Sequence, residues 1–121
     1  MRVIKASEGT PQERTGQAMF EQQVWARPLT APEDGGNLTA TIVQFGVGAR
    51  TRMHTHTMDQ LLYVVSGIGK VATAAGEHVV ATGDVAIIPA GEPHWHGAGD
   101  SGSPMVHLMV MRSDSQSEVV E

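Results

Sequence analysis

The 121-residue chain has no cysteine. That excludes a disulfide framework, a zinc–thiolate site and a cysteine nucleophile. It is also short of positive charge: 8 Lys and Arg stand against 13 Asp and Glu, a net charge of -5. No basic patch interrupts that balance, so a nucleic-acid footprint is not expected. No apolar run approaches membrane-spanning length, and the opening MRVIKASEGT lacks the long apolar core of a signal peptide. These absences predict a soluble, cytoplasmic chain with neither a nucleic-acid nor a membrane partner. Its length suits one domain, residues 1–121, with a core modest enough that a partner subunit would add stability.

Helix-period segments are scarce as well. Only Pro11 to Glu21 suggests a helical turn or two, weakened by Gly16. What is present is short β-type runs: Gln22 to Leu29, Leu38 to Val47, Arg50 to His56, Gln60 to Val65, Gly69 to Thr73, His78 to Ala81, Val85 to Ile88, His94 to Ala98 and Met105 to Met111. Between them fall PEDGGN, GVG, SGIG, AAGE, TGD, PAGEP and GDSGSP, all rich in residues that break regular structure. Many short strands at even spacing predict an all-β sandwich or barrel. The polar tail SDSQSEVVE is expected to fray.

Four of the six histidines form two pairs, His54/His56 and His94/His96. Residues i and i+2 of a strand share a face, so each pair projects to one side. Gln60, Leu62 and Val64 share one parity on the next run, and Leu61, Tyr63 and Val65 share the other. A turn at Thr57 to Asp59 would let Gln60 face the space that His54 and His56 face. His78 lies beside a turn and reads as exposed. His107, among Met105, Val106, Leu108 and Met109, is either a satisfied core histidine or part of a pocket wall.

Two stretches carry a family resemblance. Gly48, five residues, His54-Thr55-His56, three residues, Gln60, six residues and Gly67 match the spacing of the first cupin motif, over residues 48–67. Gly83, five residues, Pro89-Ala90-Gly91, two residues, His94, three residues and Ala98 match the second, over residues 83–98. The departures are Gln60 where that family usually has Glu and Ala98 where it usually has Asn. The chain therefore resembles the cupin superfamily, and the resemblance implies a double-stranded β-helix, or jelly-roll barrel. HTH with Gln60 following, then PAGEPHWHGA, is similar to small single-domain cupins of the manganese-dependent hydroxynitrile lyase type.

That resemblance implies one divalent transition metal per chain, Mn foremost, with Fe, Ni or Zn as alternatives. Its ligands would be His54, His56, Gln60 and His94. Imidazole nitrogens suit such ions. Gln60 for a carboxylate removes a negative charge, so the ion keeps more of its polarising power and is held less tightly. The other role open to Gln60 is to orient a water or a histidine. No Asp or Glu has a route into the site: Asp59 has the parity opposite to Gln60, and Glu92 lies in a turn. His96 is then the candidate catalytic base, or else a fourth histidine ligand. Trp95, of opposite parity, reads as packing. The resemblance puts Thr41, Val43 and Phe45 in the substrate pocket, with Leu62, His107, Met109 and Met111. A small apolar pocket of this kind suits a small neutral organic substrate. Three functions are open: a hydroxynitrile lyase-like enzyme, a metal-dependent oxygenase, and a non-catalytic small-molecule or sugar-binding module. Edge strands needing cover, with Leu61, Tyr63 and Val65 facing away from the site, predict a homodimer.

Overall fold

A computed structural model describes residues 1–121. The strands, in order, are β1 (Gln12–Glu13), β2 (Phe20–Glu21), β3 (Val24–Pro28), β4 (Leu38–Phe45), β5 (Arg50–Thr51), β6 (His54–His56), β7 (Gln60–Thr73), β8 (Gly76–Ala81), β9 (Val85–Ile88), β10 (Trp95–Gly97), β11 (Met105–Arg112) and β12 (Ser117–Val119). One 3-10 turn, Pro32–Asp34, sits before β4. No helix is long and apolar enough to cross a membrane. The sheet order is β1-β3-β4-β11-β7-β10-β5-β2, with β8 and β9 also on β7, and β12 pairs separately with β6. The result is the all-β jelly-roll barrel that the two motifs imply.

The spine is β7. Gln60 to Gly67 pair with β11, and Gln60 to Tyr63 also with β9, whereas Ile68 to Thr73 pair with β8 and β10. One continuous strand thus serves two sheet faces and turns between them at Gly67. The sequence pattern breaks there, at SGIG, but the strand does not. Gly67 has φ 81, and a Cβ on it would lie 2.0 Å from the Pro104 carbonyl oxygen. Only glycine fits, so the chain bends without ending.

The side chains alternate as period two requires. Gln60, Leu62 and Val64 of β7 are buried, as are Val43 and Phe45 of β4 and Met105 and His107 of β11. The main core is Val24, Val43, Phe45, Ala49, Val64, Val80, Ala98 and Met105. Outside, two rows cross four strands: Ile42, Leu108, Tyr63 and Val85, and then Ala40, Val110, Leu61 and Ile87. All eight are apolar.

Two expectations are overturned. Pro11 to Glu21 forms no helix; Glu13 pairs with Trp25 and Phe20 with Thr51, so its backbone groups find ladder partners instead. The tail does not fray. Ser117, Glu118 and Val119 pair with His56, Thr55 and His54, covering an edge of β6 that has no other sheet neighbour.

Candidate metal centre

His54 and His56 lie on β6, and His94 immediately precedes β10. The two segments are joined by a bridge in which His54 N–H donates to the His94 carbonyl at 2.9 Å and His94 N–H to that of His54 at 3.0 Å. The backbone itself therefore brings the two motifs together. One ring nitrogen from each of His54, His56 and His94 lies within 4.8 Å of the others. All three side chains are buried. Gln60, opening β7, reaches the same space, with Oε1 3.3 Å from His94 Nε2.

Burial keeps these rings neutral. It pushes His54 and His56 down to about 4 and lowers His94 as well. A neutral imidazole has one N–H and one lone pair. His54 Nδ1 is 2.7 Å from the Arg52 carbonyl, and His94 Nδ1 is 2.8 Å from that of Glu92. A carbonyl only accepts, so in both rings Nδ1 carries the proton and Nε2 the lone pair. His56 Nδ1 meets Ser117 Oγ at 2.7 Å, and its Nε2 is buried with no hydrogen-bond partner. The His94 lone pair faces the Gln60 carbonyl oxygen. Two acceptors so placed are satisfied by a cation between them, the alternative being an amide turned to donate. An orphaned nitrogen and converging uncharged N and O donors fit a first-row divalent metal.

His96 is arranged differently. Its Nδ1 is 2.9 Å from His107 Nε2, its backbone N–H donates to Thr51 Oγ1 at 3.1 Å, and its Nε2 is buried and unpartnered. Burial, then the charge His107 would carry, lowers it well below the usual histidine value, and burial pushes His107 to about 4. His107 is thus neither a core histidine alone nor wall alone: it lines the cavity and is hydrogen-bonded to His96.

A cavity of about 160 Å³ opens beside these groups. Of the residues expected in the pocket, Val43, His107, Met109 and Met111 stand on its wall, as do His54, His56, Gln60 and His96. Thr41, Phe45 and Leu62 do not. They have the inward parity, but Phe45 and Leu62 are buried in the interior rather than on the cavity wall, and the Phe45 ring lies 6.0 Å from that of His96 and 5.3 Å from that of His107. Parity selects a face of a strand and says nothing of depth along the barrel. Met19, Phe20, Thr51 and Ser117 complete the wall and carried no signal in the sequence. Trp95 packs under Arg50, whose guanidinium carbon is 4.3 Å from the ring centre. His78 is exposed.

A jelly roll with three converging imidazoles inside defines a small β-barrel protein able to hold a metal ion. The cupin domain family matches residues 41–111, and the chain belongs to that family. It is 37% identical over 92 residues to the (R)-mandelonitrile lyase of Granulicella tundricola, covering 75% of this chain and 70% of that one. A cupin-like protein from Thermotoga maritima is 28% identical, with a TM-score of 0.85 over 97% of this chain and 89% of that one. The polyketide cyclase RemF from Streptomyces resistomycificus, 20% identical, shares the fold with a TM-score of 0.81 over 100% of this chain and 87% of that one.

Proposed function

We propose that this protein is a metal-dependent lyase of hydroxynitrile type, which splits small cyanohydrins into a carbonyl compound and hydrogen cyanide and runs in reverse. One observation carries the reading: the unpartnered Nε2 of His96 shares a small cavity with His54, His56 and Gln60, on which His94 also converges. The similarity to a mandelonitrile lyase supports it. A divalent metal, manganese foremost, would be held by those four side chains and would supply Lewis-acid polarisation to the substrate.

The protein's own groups do the rest. Val43, Met109 and Met111 exclude water and accept the apolar part of the substrate. With the ring proton of His96 on Nδ1 and donated to His107 Nε2, the lone pair of His96 lies on Nε2. That nitrogen takes the hydroxyl proton. The oxygen–hydrogen electrons become the carbonyl π bond, the carbon–carbon bond breaks, and its electron pair leaves with cyanide. His96 then returns the proton to cyanide, which restores the neutral ring.

The test is a metal swap. Stripped protein reloaded in turn with Mn, Fe, Ni or Zn is assayed for benzaldehyde release from mandelonitrile and, in parallel, for oxygen uptake. Cleavage with at least one metal and no oxygen uptake is expected. Oxygen consumption without cleavage would assign the site to an oxygenase instead.

A further inference from the structure

Three imidazoles converge on one point, and two of them carry their own orienting group. His54 and His94 are fixed by the carbonyls of Arg52 and Glu92, each two residues earlier on the same segment. Those acceptors fold together with the histidines they serve. His56 has no such local partner. Its Nδ1 is met by Ser117 Oγ, 61 residues away on β12.

The strand carrying Ser117 docks on this neighbourhood. Its sheet partner is β6 alone, with Ser117 opposite His56 and Val119 opposite His54. Thr57 N–H donates to the Gln116 carbonyl at 3.0 Å and Val120 N–H to that of Met53 at 2.9 Å. The Glu121 carboxylate accepts from Met53 N–H at 3.0 Å. Ser117 and His56 also form a thin partition. Both line the inner cavity, and both line a polar outer pocket with Thr55, Gln116 and Glu118.

We propose that Ser117 is the positioning residue of His56, and that docking of β12 and metal binding at the three histidines stabilise one another. This rests on the reading of His54, His56 and His94 as ligands. The reason is orientation. Ser117 Oγ holds the His56 ring through Nδ1, which leaves Nε2 without a partner in the interior. In the form that can ligate through Nε2 the proton is on Nδ1, and the hydroxyl oxygen accepts it; without the hydroxyl the ring is free to turn and that N–H loses its acceptor. Coupling of this kind is reciprocal: what the strand contributes to metal affinity, the metal contributes to the strand.

Manganese titrated into the stripped protein should bind Ser117→Ala about tenfold or more weakly than wild type, the usual range for losing a group that orients a metal-bound histidine. Ser117→Thr, which keeps a hydroxyl, should bind as wild type does. Glu118→Ala on the same strand should change nothing. Saturating manganese should slow amide exchange in residues 113–121 of the wild type, read by mass spectrometry, and should not do so in His54→Ala. The exchange measurement stands even if Ser117→Ala folds poorly. If the wild type binds no manganese, the ligand assignment fails and this inference with it. If the wild type binds but Ser117→Ala matches it, or exchange in 113–121 ignores the metal, the inference fails and the ligand assignment stands.

Discussion

His94 and His96 face the same way from one short segment, yet their ring nitrogens have different surroundings. His94 presents a lone pair toward Gln60, whereas His96 presents a bare Nε2 to the cavity and ties its other nitrogen to His107. The two alanine variants should therefore separate. His94→Ala should lose metal. His96→Ala should keep the metal while turnover falls on the order of 10²-fold or more, the scale of a lost general base. Elemental analysis and activity measured on the same samples decide between base and ligand, since parallel loss of metal would make His96 a ligand. The convergence of His54, His56 and His94 was legible because strand parity and the two motif spacings fix it. Ser117 and Thr51 were not. A serine 61 residues from the ring it serves looks like any serine until the strands are paired. The expected wall residues divide for a similar reason: Val43 and Phe45 share a face, but one is on the cavity wall and the other is buried in the interior.

Among the elements, β7 decides the architecture, and Gly67 decides β7. Its Cβ space is occupied by the Pro104 carbonyl and by Met105 Cα at 3.2 Å, both backbone. Neither can swing aside. Gly83 also has a positive φ, 92, but open space around it. Gly83→Ala should cost only the left-handed penalty, about 1–2 kcal/mol. Gly67→Ala adds a backbone collision and should cost clearly more, lowering the midpoint of thermal unfolding well below that of Gly83→Ala. Equal midpoints would mean that the corner yields. The long inner strands were readable from their β-branched, apolar composition. The short outer ones were not. β1, β2 and β12 have two or three residues each. They exist because an exposed ladder edge lies beside them, which no local pattern records.

At the scale of the whole molecule, the outer rows of β4, β11, β7 and β9 stand out. An antiparallel sheet with one wet face alternates apolar and polar residues. Here Leu61, Tyr63, Val85 and Ile87 face outward with Ile42, Leu108, Ala40 and Val110, and Tyr63 is 42% and Ile87 62% exposed. Strands apolar on both sides belong to sheets covered on both sides. The face carries no charge in these rows across the four strands, which lie about 4.8 Å apart, and the first charge in the row is Arg27 of β3, opposite Ile42. We infer that a second copy of the chain covers it, as a two-fold dimer burying on the order of 800 Å² per partner. Light scattering at micromolar concentration should give twice 12.8 kDa, and Leu61→Lys should give the monomer. A monomeric wild type would remove the dimer.

The three converging histidines, His54, His56 and His94, are 1%, 7% and 0% exposed, and the cavity beside them holds about 160 Å³. A hexadentate chelator is too large to enter that space and seize the ion. Removal would then wait for the ion to leave unaided or for the structure around the cavity to open locally. Above a modest chelator concentration the rate of stripping should stop rising. The metal found in the purified protein would then reflect which ion was abundant when the chain folded as much as which ion it prefers. Its occupancy would be a record of its history, slow to equilibrate with its surroundings.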